Sequence, residues 1–330
     1  MSKRNAQIAG TGMYVPEKVV PNSYFNELLG EDVDTWLREN VQIYERRWTG
    51  DEESTADLAE KAAIRAMEDA SVSAEEIDLI IISTDTPEYV SPSTASVVQH
   101  RLGATHAGTF DINTACAGFV TALDMGTKYI QSDEQYKNIL VIGAYNMSKF
   151  LNLQDKKTVT LFADGAGAAV LKANNGESGM LASALETRGE YADWMGIYSG
   201  GAHSPVNEKV IKEKTHLLQF VHKFPKELNP QTWSRMIEEL CEKASVAPGD
   251  ISRFFITQIN INAIHETLDI IGVEHDKAEY VMHKYGYTGS ACIPMALDQA
   301  HRAGKLKRGD YIIFIGSGGG LAFAGALFKF

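Results

Sequence analysis

Six runs of the chain are almost wholly apolar, and each is only long enough to form one strand: IDLIIIST from residue 77, NILVIGA from 138, GAGAAVLKA from 165, SRFFITQI from 252, YIIFIGSG from 311 and LAFAGALFKF from 321. A strand with one wet face alternates apolar and polar residues. A continuous run such as IDLIIIST has no wet face, which is the pattern of a strand covered on both sides in a parallel sheet. Helical stretches separate the runs. One opens at Ser54, placed to cap it, and carries Leu58, Ala62, Ala66 and Met67 at close to helical spacing. Strands alternating with helices predict an α/β layered protein.

At 330 residues the chain is long for one simple core, and its halves echo each other. EEIDLIIISTDT (75–86) and GDISRFFITQIN (249–260) each run from an acidic turn through a buried strand to a polar strand end. FDINTACAGFVTALDMG (110–126) and YVMHKYGYTGSACIPMALDQA (280–300) pass through small residues into a helix. LFADGAGAAVLKA (161–173) and FIGSGGGLAFAGALFKF (314–330) pass from a Gly-rich turn into a strand. Three echoes in one order predict an internal duplication with two sheets packed around a shared centre. Turn residues cluster in KANNGESGM, which sets the expected halves at 1–176 and 177–330. Cys116 then has its counterpart in the stretch Ser290 to Cys292, both elbows pointing to one cleft.

The formal net charge of -12 argues against nucleic acid or an anionic membrane as the main partner. No apolar run reaches the roughly 18 residues of a membrane span, and the first residues lack the apolar core of a signal peptide. The three cysteines, at 116, 241 and 292, have no paired spacing, and no histidine pair has metal-ligand context. Free thiols in a reducing cytoplasm, with no metal, are expected. FADGAGAAVL is not a phosphate loop, because no GK[ST] follows and its glycines lead into a strand.

Cys116 carries the most specific chemistry. Ala115, Ala117 and Gly118 permit a tight turn and close approach by a substrate. The helix start behind the sulfur offers free N–H groups and a positive dipole end, both of which lower a thiol's pKa. A free cysteine elsewhere is usually a small buried hydrophobe, and that is the reading for Cys241 and Cys292. Gly318, Gly319 and Gly320 follow a buried strand and serve either as a tight packing turn or as backbone donors to a substrate carbonyl.

Together, DINTACAGF, LFADGAGAAVL, YGYTGSACIPMALDQA and the terminal GSGGGLAFAGALFKF resemble β-ketoacyl-acyl carrier protein synthase III, of the thiolase-like superfamily. WLRENVQIYERRW (36–48) is similar to that family's early W-x-x-x-x-G-I-x-x-R-R segment. The resemblance spans almost the whole chain. It implies a layered α-β-α-β-α fold from two duplicated halves, a homodimer, acyl-coenzyme A as substrate with no resident cofactor, and an acyl carrier protein as a second partner. It also implies that Cys116 is the acyl-accepting nucleophile, with the N–H groups of Cys116 and Gly319 forming an oxyanion hole. Trp36, Lys156 and Asn260 fall at positions implied to bind coenzyme A.

Departures from the pattern bear on mechanism. The family's H-Q-A-N is here TQIN, so Thr257 stands in the histidine position, while Asn260 keeps the last one. The family's G-N-T-S is here GYTG, so Tyr287 replaces an asparagine. Asn40 stands where an arginine is common, and Lys156 and Lys157 replace an Arg-Gly pair. Decarboxylative condensation needs donors that stabilise an enolate, whereas acyl transfer onto a cysteine asks less. His222 and His283 are the candidate substitutes, with surface or structural roles as the competing reading of each. The expected activity is a thioester-dependent acyltransferase of the synthase III type, passing its acyl group to a malonyl thioester or another acceptor. The alternatives are non-decarboxylating transfer to a hydroxyl, amine or thiol, and a catalytically reduced subunit of a heteromeric synthase.

Overall fold

The computed structural model describes residues 4–330. Two sheets organise it. The first is built from β1 (Asn5–Tyr14), β2 (Leu79–Ser83), β3 (Gly108–Ile112), β4 (Asn138–Asn146) and β5 (Asp164–Asn174) in the order β1-β5-β4-β2-β3. The second is built from β6 (Gly179–Thr187), β7 (Ile251–Ile256), β8 (Tyr311–Gly318) and β9 (Ala322–Lys329) in the order β6-β9-β8-β7. From β1 inward the first sheet runs antiparallel, antiparallel, parallel, with β3 added in parallel at the far edge. The second, read from β6, runs antiparallel, antiparallel, parallel. The same pattern twice is the structural counterpart of the sequence echoes.

Helices fill the remaining layers. α1 (Thr55–Ala70) and α2 (Thr94–Leu102) cover the outer face of the first sheet. α3 (Gly118–Ser132) and α6 (Cys292–Arg302) lie between the sheets. α4 (Leu228–Ala244) covers the outer face of the second sheet, with α5 (Ile261–Ile270) packed against it. The fold is thus the expected α-β-α-β-α stack. β2 explains why it needs unbroken apolar runs: Leu79 and Ile81 face the central helices, and Ile80 and Ile82 face α1 and α2. Ser54 caps α1 as its sequence position predicts; its backbone N–H and its hydroxyl both donate to Asp57 Oδ2, each at 2.7 Å.

The central helices begin in matching elbows. A 3₁₀ turn at Ala115–Ala117 leads into α3, and one at Gly289–Ala291 leads into α6. Ala115 has φ 45° and Gly289 has φ 49°, so the residue before Cys116 and the residue before Ser290 share the left-handed conformation. The counterpart of Cys116 is therefore Ser290. Its hydroxyl does not face a cleft as expected; it is buried and donates to Ala144 O at 2.9 Å. This fixes α6 to β4 and makes the second elbow a structural joint.

That joint depends on Gly143, where a Cβ would collide with the carbonyl of Ser290. Overpacking of this kind costs roughly 1–3 kcal/mol. Gly143→Ala is expected to lower the thermal midpoint measurably, with Gly189→Ala, where a Cβ meets nothing within 4 Å, as the neutral control.

Candidate active site

Cys116 is placed by two close approaches. A side chain at Gly118 would collide with Ser83 at the end of β2, and one at Gly318 would collide with the backbone N of Cys116. Glycine at both positions lets the start of α3 press between the end of β2 and the end of β8. Cys116 is buried, 3 % exposed, and lines a cavity of about 220 Å³. Around it stand Asp85 after β2, Asn113 and Ala115 of the elbow, Tyr145 and Met147 at the end of β4, and Gly319 and Gly320 after β8. Met195 to Tyr198 and Leu218, in the segment between β6 and α4, close the side; Met195 and Gly196 pair with Phe220 and Gln219 in a short two-stranded ribbon.

The thiol's acidity runs against the sequence expectation. Burial pushes the Cys116 pKa well above the ordinary thiol value, the Asp85 carboxyl adds to the rise, and only then does a hydrogen bond from Tyr287 oppose it. Burial disfavours the charged thiolate and so acts against the helix start. The backbone of Tyr287 is clamped on both sides: its N–H donates to Leu161 O, and its carbonyl accepts from Ala163 N–H, both at 2.9 Å. Its ring packs on Phe162 at 5.4 Å.

Thr257 has a different fate. Its hydroxyl accepts the Ser317 N–H at 2.8 Å and lies 3.4 Å from Ser317 O, so it joins β7 to β8 instead of offering a donor to the cavity. Next to it, buried Gln258 donates to Cys292 O at 3.1 Å and accepts from Val281 N–H at 2.7 Å. Neither histidine candidate lines the Cys116 cavity. His222 is exposed, its ring 5.4 Å from that of Trp194. His283 lies in a separate surface depression with Tyr44, His275 and Glu279.

Of the three positions implied to bind coenzyme A, Trp36 and Lys156 are exposed and Asn260 is half-buried. Trp36 is 52 % exposed. Its carbonyl accepts from Asn40 Nδ2, and Asn40 O accepts from Asn262 Nδ2 at 2.7 Å, beside Asn260, which caps α5. Lys156 is ion-paired with Glu31 at 3.0 Å, on a short helical turn touching strand 219–220, next to the cavity residue Leu218.

Sequence reasoning missed Asp85, Asn113, Tyr145 and the 195–198 segment. A signal for Asp85 exists: it follows the carboxyl end of a buried parallel strand, where α/β sheets place their sites. The 195–198 segment carries no motif at all.

Models of two halves of one family match the chain: 3-Oxoacyl-[acyl-carrier-protein (ACP)] synthase III over residues 110–189, and its C-terminal part over 241–330. A β-ketoacyl-[acyl-carrier-protein] synthase III of Clostridioides difficile is 37 % identical over 98 % of both chains. The chain belongs to the 3-oxoacyl-[acyl-carrier-protein] synthase III family. It is an acyltransferase of the synthase III type. The synthase III of Aquifex aeolicus has a solved structure with TM-score 0.89 at 33 % identity, covering 98 % of this chain and 100 % of its own. The priming β-ketosynthase of the R1128 polyketide pathway gives 0.90 at 28 % identity, covering 99 % and 97 %. Within this synthase III, no helix among the described residues is long and apolar enough to cross a membrane.

A raised thiol pKa makes a direct prediction. Alkylation of Cys116 by iodoacetamide is expected to be slow at neutral pH and to keep climbing above pH 9, the ordinary thiol value. Tyr287→Phe removes a hydrogen bond that lowers that pKa, so it should slow alkylation at fixed pH by about 2- to 10-fold, the worth of one such bond. Peptide mass spectrometry follows both rates, and faster alkylation of the variant would contradict the assignment.

Proposed function

We propose that Cys116 accepts an acyl group from an acyl-coenzyme A thioester and passes it to an acceptor by a route that does not depend on the family's usual enolate donors. The observation that carries this reading is the joint position of Cys116 and Gly319 on one small cavity that no histidine lines among the described residues. The N–H groups of Cys116 and Gly319 hold the oxyanion of the tetrahedral intermediate. Tyr287 donates to the sulfur and eases its ionisation. Trp36, Lys156 and Asn260 form the outer rim that meets the nucleotide and pantetheine portions, with Lys157 beside them.

Condensation is where this chain differs. Thr257 is tied to the Ser317 backbone, and Tyr287 serves the sulfur, so neither supports a malonyl enolate as histidine and asparagine do. Transfer to a hydroxyl, amine or thiol therefore fits the site better than decarboxylative condensation, and an acyl carrier protein is one carrier of such an acceptor. The intact elbow argues against a catalytically reduced subunit. His222 and His283 are left outside the reaction.

Intact-mass analysis with acetyl-, butyryl- and octanoyl-coenzyme A should show an adduct that Cys116→Ala abolishes. An adduct persisting in that variant, or located on Cys241, would sink the proposal. In the same experiments the wild type should release little carbon dioxide from malonyl thioester, since each lost oxyanion-type donor costs on the order of 100- to 1000-fold. The double change Thr257→His with Tyr287→Asn should raise that release without full recovery, because Ser317 loses its partner.

The quaternary state follows from the same reading. A homodimer is expected, supported by the duplicated architecture and by apolar surface at Tyr89 and Val90, which are 54 % and 91 % exposed. Light scattering at micromolar concentration should give twice the chain mass; a monomer would refute it.

A further inference from the structure

Acylation of Cys116 requires an acceptor for the thiol proton. One charged side chain lines the cavity among the described residues, and it is Asp85. The backbone on either side of Asp85 is pinned. Thr84 N–H donates to Ile112 O at 3.1 Å, and Thr86 N–H donates to Thr84 Oγ1 at 3.0 Å. Asn146 N–H donates to Thr86 Oγ1 at 2.8 Å, and the Thr55 hydroxyl donates to Thr86 O at 2.6 Å. β3, β4 and α1 thus hold both neighbours and leave the carboxyl facing the cavity. Asp85 Oδ1 is buried and has no hydrogen-bond partner. A carboxylate oxygen left so is costly, and only a hydrogen bond from the Asp85 backbone opposes that cost on the carboxyl.

We propose that Asp85 is the base that takes the proton of Cys116 during acylation, directly or through one water, and returns it to the departing coenzyme A thiolate. This rests on the acyl-transfer reading above. In the step, the thiol proton moves to Asp85, and the sulfur forms a new bond to the thioester carbonyl carbon. The carbonyl pair becomes an oxyanion held by backbone N–H groups. Its collapse breaks the carbon–sulfur bond to coenzyme A, whose thiolate takes the proton from Asp85. The products are the acyl-cysteine, free coenzyme A thiol and the original carboxylate, with no change in oxidation state.

The surroundings suit that role. Cys116, Tyr145 and Tyr198 line the cavity with Asp85, while Tyr287 and Cys292 lie behind the sulfur. Burial pushes all five of these groups up, Cys292 to about 12, so each is neutral near pH 7. Burial also pushes the Asp85 carboxyl up, to about 6, which leaves it ionised at neutral pH but a stronger base than a surface carboxylate.

The test is the pH profile of acyl-adduct formation, using whichever of acetyl-, butyryl- or octanoyl-coenzyme A labels the wild type fastest. Because Asp85 must be ionised to accept a proton, the wild-type rate should rise with pH through about 6 and then level. Asp85→Asn should lose that inflection and fall on the order of 100-fold or more in rate, and Asp85→Glu should restore part of it. Iodoacetamide alkylation of Cys116 separates a base from a merely structural carboxyl. The Asp85 charge raises the thiol pKa, so its removal should leave alkylation as fast as in the wild type or faster. Slowed alkylation together with slowed acylation would mean a collapsed cavity and overturn the proposal. An unchanged profile in Asp85→Asn would overturn it while leaving acyl transfer by Cys116 intact. A wild type that forms no adduct on Cys116 would overturn both readings.

Discussion

Everything at the centre of this protein depends on how closely two helix starts can approach the strand ends beside them. Gly118 lets α3 meet β2, Gly318 lets β8 meet the backbone of Cys116, and Gly143 lets the Ser290 elbow meet β4. A methyl group at any of these positions would force sheet and helix apart. Such contacts cannot relax piecemeal, because each helix start is held on both sides. The cavity is what remains where the two halves do not quite close.

This packing sets the electrostatics of the site. Drawing Cys116 into a nearly dry position buries it against Tyr145, Tyr287 and Asp85, and each of these groups is itself pushed up by burial. The result is a set of neutral hydroxyls around a protonated thiol, with one carboxylate among them. Thr257 shows the other side of the same economy of space. A short hydroxyl next to β8 finds the Ser317 amide 2.8 Å away and becomes part of the sheet.

Duplication gave the two elbows the same backbone but not the same duty. Both have a residue near φ 45–49° before the central position, and both lead into a central helix. At Cys116 the side chain meets a cavity. At Ser290 it meets the Ala144 carbonyl, and the hydroxyl is consumed as a joint.

The amino-acid sequence by itself determined the layered fold and its duplication, and it singled out Cys116 as the candidate nucleophile. Continuous runs such as residues 79–82 leave no wet face, so a stack with helices on both sides of each sheet satisfies them, and the small residues around Cys116 permit the tight turn found there. Its family resemblance implies that Thr257 and Tyr287 stand at a histidine and an asparagine position. What those two residues do was decided only in three dimensions. Whether a hydroxyl faces a cavity or a neighbouring amide depends on strands 60 residues apart in the chain, as Thr257 and Ser317 are. Asp85 and the 195–198 wall join Cys116 through the same kind of long-range contact, and the acidity of the thiol follows from the wall. Helix position alone predicts a lowered pKa for Cys116, while burial by distant segments raises it, because desolvation is a property of the assembled cavity and not of any local stretch of chain.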